Sequence, residues 1–237
     1  MRNVLHAFAS TYFMFTAAKG ENRIMKVMIT GTSSGIGKAV AEKFLYENHS
    51  VIGFDRNGAS IVHPSYRHIV CDITQELPDI SDVEILVNNA GVQNENDIEV
   101  NLIGNMKVTE KYAFQEHIKS VLFMASASAH NGSEFPEYAA SKGGILAYSK
   151  NAALRLAPFG ATCNSISAGG VITPINDHIL NDETLMEAVL NETLLHKWAA
   201  PEEIADLAYY LTVINKSITG QDVLIDNGEM LKSNFIW

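Results

Sequence analysis

Cysteine is almost missing from this chain: Cys71 and Cys163 are the only two among 237 residues. Two distant cysteines make neither a metal-ligand spacing nor a disulfide framework. That excludes a disulfide-stapled secreted scaffold and a cysteine-held metal centre, and a reducing, cytoplasmic setting is the simplest expectation. Positive charge is also scarce. Lys and Arg number 17 against 27 Asp and Glu, the net charge is -10, and the cations never form a run. Nucleic-acid binding needs clustered Lys and Arg against phosphates, so no nucleic-acid partner is expected. An uninterrupted apolar stretch of about 20 residues, as a membrane span requires, does not occur, and no membrane partner is expected. Repeats, low-complexity tracts and linkers are absent too. Triplets such as Asn131-Gly132-Ser133 match a glycosylation pattern, which has no meaning in a cytosolic protein.

The segment 1–24 stands apart. Residues 1–20 hold no acid, and the apolar stretch VLHAFASTYFMFTAA ends in small residues, as a short signal-peptide core does. Met25 follows directly before KVMITG. Three readings stay open: an extension upstream of the true start with no part in the chemistry, an arm packing on the domain or a second subunit, and a targeting segment.

What the chain has in quantity is apolar residues, 47% against 19% charged, enough for a large core. Short continuous apolar runs at 26–30, 51–54, 68–71, 84–87, 120–125, 162–166 and 222–225 predict strands buried on both faces. Helical patterns lie between them at 35–48, 97–117, 137–157, 182–196 and 201–214, and Pro158-Phe159-Gly160 is a helix stop. The alternation predicts an α/β fold: a doubly wound, mostly parallel sheet with helices on both faces, in one domain over 25–237.

A glycine-rich turn, GTSSGIGKA, follows the first strand at Gly31 and opens the first helix. A triphosphate-binding loop needs Gly, four residues, then Gly-Lys-Ser/Thr. Here Thr32 stands where the first glycine belongs, and Ala39 replaces the magnesium-binding hydroxyl. The spacing Gly31-x-x-x-Gly35-x-Gly37 instead suits a dinucleotide turn, in which Ser33, Ser34 and Ile36 lie along the pyrophosphate at the helix N-terminus. Asp55 ends the second strand, at the distance beyond Gly37 where a dinucleotide fold places its ribose-binding acid. A carboxylate there accepts from the adenosine ribose hydroxyls of NAD and repels the 2′-phosphate of NADP. Arg56 pulls the other way, but Asp55 holds the strand end, so NAD is favoured over NADP. Asp72, beside Ile73 after the third strand, either contacts adenine or caps its own turn.

Tyr138 and Lys142 are four apart on a predicted helix and share one face. A neighbouring ammonium favours phenolate and brings a tyrosine toward useful acid–base chemistry. Ser126 ends the strand SVLFMAS, at the carboxyl edge where open α/β sheets bind ligands, and Asn101 offers an amide within the preceding helix.

With these residues the chain resembles the single-domain short-chain dehydrogenases/reductases, including members like the 3-oxoacyl reductases. The carrying motifs are Thr30-Gly31-x-x-x-Gly35-x-Gly37, Asn88-Asn89-Ala90-Gly91, Asn101, Ser126, Tyr138-x-x-x-Lys142, and the later GGVITP and ITGQDVLIDNG, all in family order from about 26 to 230. The resemblance implies a Rossmann-type sheet and an oxidoreductase that interconverts a small-molecule secondary alcohol and a ketone, as a homodimer or homotetramer. It makes Tyr138 the general acid/base and lets Ser126 hydrogen-bond the reacting oxygen. Lys142 would bind the nicotinamide ribose, and Asn101 would hold a water leading from Lys142 to solvent. Asn88, Asn89, Ala90 and Gly91 would support the sheet beside the adenosine, while Gly169, Val171 and Thr173 would meet the nicotinamide. No metal is implied.

The chain departs from the family pattern in three places. The interval from Asn88 to Asn101 is well short of the family's, so the helix beside the active site and its lead-in should be trimmed. The interval from Ser126 to Tyr138 is slightly short as well, which leaves Ser128 as a rival. The usual Pro-Gly after the sixth strand reads Ala168-Gly169, which removes a restraint on that loop. The trimmed segment motivates the alternative of a silent NAD-binding regulatory or scaffold protein. A sugar-nucleotide epimerase would need an extra lobe, and the residues after Lys142 are spent finishing the sheet. Apolar residues at helical spacing over 174–200 (Ile175, Ile179, Leu180, Leu185, Met186, Val189, Leu190, Trp198) either face the nicotinamide as a lid or simply pack on the domain.

Overall fold

In the computed structural model of the chain, residues 23–133 and 135–232 are described. The N-terminal extension therefore lies outside the described residues, apart from Arg23 and Ile24. Seven described strands form one sheet: β1 (Lys26–Thr30), β2 (Ser50–Asp55), β3 (Tyr66–Val70), β4 (Ile85–Asn88), β5 (Ser120–Met124), β6 (Thr162–Ala168) and β7 (Asp222–Ile225). Their order is β3-β2-β1-β4-β5-β6-β7, and every pairing is parallel. The chain winds outward from β1 to β3, then restarts on the other side of β1 with β4. Where winding reverses, no connection covers the carboxyl ends of the strands, and a cleft opens.

Residue alternation along the strands sends side chains into two layers. Val27 and Ile29 of β1 pack with Phe44 of α1 (Gly35–Tyr46) and Ile204 and Ala208 of α7 (Pro201–Tyr209). Met28, between them, joins the opposite layer with Val108 and Tyr112 of α2 (Asn105–Tyr112) and Ile145 and Leu156 of α4 (Pro136–Leu156). Phe44 and Phe54 are fully buried in opposite layers; burying a side chain of that size contributes roughly 1.5–3 kcal/mol.

The structure moves several predicted boundaries. The first helix stops at Tyr46, not at 48, because Asn48 turns left-handed (φ 65°). Asn48 N–H then donates to Leu45 O and His49 N–H to Phe44 O, a Schellman closure. The helix expected over 97–117 starts π-helical at Ile98–Gly104 and ends with α2 at Tyr112. The strand expected at 68–71 runs from Tyr66 to Val70, where pairing with Val51 to Asp55 places it. The strand expected at 162–166 continues to Ala168, paired with Ile225. Two short helices were not anticipated: α3 (Ser128–Asn131), closed by Gly132 at φ 71°, and α5 (Asp177–Leu180). The helix expected over 182–196 is α6 (Glu183–Leu190), started by Asp182, whose carboxylate accepts from Thr184 and Leu185 N–H.

Candidate active site

The glycine turn takes its shape from contacts that only glycine permits. Gly31 and Gly35 have φ of 78° and 55°. A Cβ on Gly31 would sit 2.7 Å from Asn89 Nδ2, and one on Gly37 would run into the Gly31 carbonyl and the same amide. Asn89 fastens the turn from the β4 side. Its Nδ2 donates to Thr30 O (2.9 Å) and Gly31 O (3.2 Å), while its N–H and that of Ala90 donate to Thr30 Oγ1 (2.9 Å each). Ser34 begins α1 without a side-chain cap, and the first turn holds no acid. The leading N–H groups of α1 are thus open to an anion. Lys38 pairs with Glu42 (3.9 Å) on the outer surface, as an ordinary helix residue.

Asp55 is held in place by the turn. Its carboxylate accepts from Ser33 N–H (2.9 Å) and Asn57 N–H (2.8 Å). Below it runs a hydrogen-bonded chain: Thr32 Oγ1 to Tyr66 Oη (2.8 Å), Tyr66 Oη to His68 Nδ1 (2.8 Å), and His68 Nε2 to Asn57 O (2.9 Å). A carbonyl only accepts, so His68 carries its proton on Nε2. In neutral His68, Nδ1 then accepts from Tyr66 and Thr32 donates to Tyr66. Burial, partly offset by the Thr32 contact, holds the Tyr66 phenol above its usual range. Tyr66→Phe would strand the hydroxyl of Thr32, which is fully buried. The expected loss is about 1–3 kcal/mol, read in thermal unfolding as a fall of roughly 2–4 °C per kcal/mol at this chain length; an unchanged midpoint would contradict the bridging role.

Asp72 caps its own turn. Its Oδ1 accepts from Thr74 N–H (2.9 Å) and Thr74 Oγ1 (2.8 Å). The main-chain bond, followed by the hydroxyl bond, holds its carboxyl below the usual range. Asp72 still lines the cleft, beside Ile73 and Arg56.

The chemical groups meet under the carboxyl ends of β4 and β5. Lys142 is only 5% exposed and donates from Nζ to Met124 O (2.9 Å); that nitrogen lies 5.6 Å from the centre of the Tyr138 ring. One turn of α4 brings the pair together, and buried Ser141 donates to Tyr138 O (2.7 Å) from the same turn. Ser126 and Ser128 both face the cleft. Ser128 Oγ–H donates to Ser126 Oγ (2.9 Å), as does Ser128 N–H (3.2 Å). Ser128 therefore supports Ser126, whose own hydroxyl proton remains to point elsewhere. Asn101 is fully buried in the π-helical segment. Its Oδ1 accepts from Val92 N–H (2.8 Å), and its Nδ2 donates to Val92 O (3.0 Å) and Ser141 Oγ (3.1 Å). A Cβ on Gly91 would lie 3.1 Å from Asn101 Oδ1 and 3.5 Å from Lys142 Nζ. The clasp on Val92 thus lays a glycine wall directly against the lysine.

The cleft has a volume of about 920 Å³. Of the residues singled out in the sequence, Gly31, Ser34, Gly35, Ile36, Asp55, Arg56, Asp72, Ile73, Ala90, Gly91, Ser126, Tyr138, Lys142, Gly169, Val171 and Thr173 line it. Ser33, Gly37, Asn88 and Asn101 do not, and shape it from behind. Asn88, expected beside the adenosine, is buried with its Nδ2 on Thr109 Oγ1 (2.9 Å), because β4 continues through it and turns its side chain toward α2. The loop after β6 holds its place without the proline: Gly169 N–H donates to Ile225 O (3.0 Å), and Val171 pairs with Ala199. Gly170 accommodates the Trp198 ring, which a Cβ there would strike. Of the expected lid residues, Ile175, Ile179, Val189 and Trp198 face the cleft. No residue of α5 or α6 is fully buried, while Ile179, Leu180, Met186, Val189 and Leu190 are half-buried.

Sequence reasoning missed Asn89 as the fastener of the turn and Glu229 as part of the cleft wall. The adjacency of Asn89 to Asn88 was the available signal for the first; nothing local marks the second. Among the described residues, no group of three His, Cys, Asp or Glu is placed to hold a metal, and no helix is long and apolar enough to cross a membrane.

A family model described as Enoyl-(Acyl carrier protein) reductase matches residues 31–229. D-beta-hydroxybutyrate dehydrogenase of Rhizobium meliloti (strain 1021) is 30% identical over 250 residues, covering 85% of this chain and 96% of the relative. Among solved structures, the ligand-free aldohexose dehydrogenase of Thermoplasma acidophilum superposes with a TM-score of 0.80 at 24% identity, over 91% of this chain and 98% of that one. A 4-hydroxyisoleucine dehydrogenase complexed with NADH gives 0.78 at 23%, over 88% and 100%.

Proposed function

The chain belongs to the short-chain dehydrogenase/reductase family of oxidoreductases, and we propose that it interconverts a secondary alcohol and a ketone with a nicotinamide dinucleotide, NAD(H) before NADP(H). The observation that carries this reading is one cleft lined by both the glycine turn with Asp55 and the group of Ser126, Tyr138 and Lys142. The glycine cradle, the open N-terminus of α1 and a strand-end carboxylate fit a dinucleotide: close backbone approach for the pyrophosphate and an acceptor for ribose hydroxyls.

When bound, the nicotinamide supplies or accepts the hydride. The chain's own residues handle the proton and the oxygen. Tyr138 Oη protonates the carbonyl oxygen during reduction and takes the hydroxyl proton during oxidation. Ser126 accepts from Ser128 and so directs its own O–H at the same oxygen, stabilising charge that develops there. Lys142, fixed on Met124 O, places a cation beside the Tyr138 ring and favours its phenolate. Asn101 is a positioning residue: its amide is committed to Val92 and Ser141, and it keeps Gly91 against Lys142.

Asp55 sets the cofactor preference. A carboxylate about 4 Å from a phosphate charge repels it by on the order of 4 kcal/mol at a near-surface dielectric, before salt screening. Arg56 offsets part of that. The test is a panel of secondary alcohols and ketones with NADH or NAD+ and NADPH or NADP+ in parallel. NAD(H) is expected to give the higher kcat/KM, and Asp55→Ser to shift the ratio toward NADP(H) by about tenfold or more. A wild-type preference for NADPH would overturn the role of Asp55; inertness toward the whole panel would overturn the reaction.

A further inference from the structure

In the reading above, Ser126 helps the reaction only while its proton points at the reacting oxygen. Ser128 leaves that proton free by donating its own hydroxyl to Ser126 Oγ (2.9 Å). Ser128 opens α3, a helix of four residues. One turn of helix has almost no stability of its own, because nucleation fixes several residues for a single hydrogen bond. Contacts with the rest of the fold therefore decide how α3 is turned.

The pivot is main chain. Ala127 N–H donates to Ala168 O (2.8 Å), which pins the start of α3 to the end of β6. Gly132 N–H donates to Ser128 O (2.8 Å), which closes the turn. These two bonds leave the helix free to rock about its axis, and side chains on its faces remove that freedom. At about 3.6 residues per turn, Ser128 and Asn131 share a face, and His130 points nearly opposite Ser128. Ser128 and Asn131 line the cleft, and His130 is not among the described lining residues.

His130 grips the sheet instead. Its Nε2 lies 2.8 Å from Asp222 Oδ2 and 3.2 Å from Ser167 Oγ. A carboxylate only accepts, so Nε2 carries a proton in either charge state of the ring. The acceptor is firmly placed. Asp222 opens β7, lies in register with Ser165, and takes the Ser165 hydroxyl on its other oxygen (2.5 Å). The Asp222 side chain is 12% exposed against 36% for His130, and Ser165 and Ser167 are fully buried. The acceptor side of this bond is thus shielded from water, unlike that of an ordinary surface pair. Drawing His130 onto β6 and β7 turns the opposite face, with Ser128, toward Ser126. On the other side of α3, Asn131 Nδ2 meets Met230 Sδ (3.3 Å), and a thioether is a weak acceptor.

We propose that His130 is a positioning residue for the reaction. Held by Asp222, it sets the rotation of α3, keeps Ser128 donating to Ser126, and so keeps the Ser126 hydroxyl directed at the substrate oxygen. The inference rests on the oxidoreductase reading and deepens it. His130 acts through Ser128, and Ser126 stabilises charge that grows only as the reaction proceeds. Loss of the tether therefore slows the chemical step and leaves the binding of ketone and dinucleotide in place.

Two substitutions separate the donor from the bulk of the ring. His130→Phe fills the space without a donor, and His130→Gln keeps an amide that can still donate to Asp222. Ethyl acetoacetate with NADH is the probe. His130→Phe is expected to lower kcat about tenfold, part of the roughly 10²–10³ that loss of a whole oxyanion donor costs. KM and NADH affinity are expected to stay within about twofold. His130→Gln is expected to recover most of the rate. In a Ser128→Ala background, His130→Phe is expected to lower kcat by less than about twofold more, because both act through one hydroxyl. Amide hydrogen exchange over 126–133 reads the tether without turnover, and it is expected to be faster in His130→Phe and near wild type in His130→Gln. Asp222→Ala cuts the same bond from the other side and takes the place of His130→Phe in every readout if that variant does not fold. Unchanged kcat or unchanged exchange on cutting the bond, an equal loss in His130→Gln, or losses that add in the double variant would overturn the proposal and leave the oxidoreductase reading standing. Inertness of the unsubstituted chain toward ethyl acetoacetate would count against that reading instead. Exchange would then still decide the tether, and an unchanged rate in His130→Phe would overturn it.

Discussion

Tyr138→Phe is expected to lower kcat by about a hundred- to ten-thousandfold, the usual contribution of a positioned acid–base group, while NADH binding stays within about twofold. The structure separates the two effects. Tyr138 is a half-buried residue on α4, in a helix turn that other groups hold: Ser141 bonds the Tyr138 carbonyl, and Lys142 bonds Met124 O. The glycine turn and Asp55 are tied to Thr30, Asn89, Ser33 and Asn57, none of them on α4. Removing the phenol oxygen therefore takes away the proton and leaves the dinucleotide wall intact. Single-turnover reduction, monitored by loss of NADH absorbance, reads the first effect; NADH fluorescence titration reads the second. Retention of full turnover by the variant would end the assignment of Tyr138. A parallel loss of NADH binding would show that the ring, not its proton, is what matters.

Much of the geometry of the candidate site could be read in advance because it sits in short spacings. Gly31-x-x-x-Gly35-x-Gly37 describes a single turn, Tyr138 and Lys142 are one helical turn apart, and Asp55 ends a strand whose apolar run stops there. Local sequence controls each of these. The sheet was legible for the same reason, since strands buried on both faces read as continuous apolar runs. What stayed hidden depends on contacts between distant segments. No pattern in 97–117 announces that Ile98–Gly104 winds as a π-helix, yet that winding carries Asn101, which grips Val92 and Ser141. Asn88 and Asn89 look alike in sequence. Only the alternation of β4 sends the first toward Thr109, behind the cleft, and the chain's departure from the strand lets the second clamp the glycine turn. The sequence puts Ser126 at the strand end and leaves Ser128 as its rival; no spacing announces that the hydroxyl of Ser128 donates to that of Ser126. Glu229 reaches the cleft only because Asp226, the lid and α3 fold one short turn inward.

Gly37→Ala should disable the dinucleotide side of the cleft as completely as Tyr138→Phe disables the proton. The added methyl has nowhere to go. It would overlap the Gly31 carbonyl and Asn89 Nδ2, and the nearest atoms are backbone or a side chain already bonded to Thr30 O and Gly31 O. A flexible neighbour would yield at little cost, but this one is fixed by four hydrogen bonds that join β1 to the loop after β4. Relief must come from moving the start of α1 away from Gly31. That shift withdraws the leading N–H groups from the position at which a pyrophosphate would meet them. Overpacking of this kind costs about 1–3 kcal/mol, so the unfolding midpoint should fall by roughly 2–12 °C at 2–4 °C per kcal/mol. NADH affinity should drop by a further factor of about a hundred or more, as two or so charge-assisted hydrogen bonds at about 1.5–3 kcal/mol each are lost. Gly143→Ala is the control: it places the same methyl on α4, where the nearest atom lies 4.0 Å away, and should leave both readings near wild type. Wild-type NADH affinity in Gly37→Ala would mean that α1 does not hold the pyrophosphate, because the structure leaves no way to admit that methyl without moving the helix.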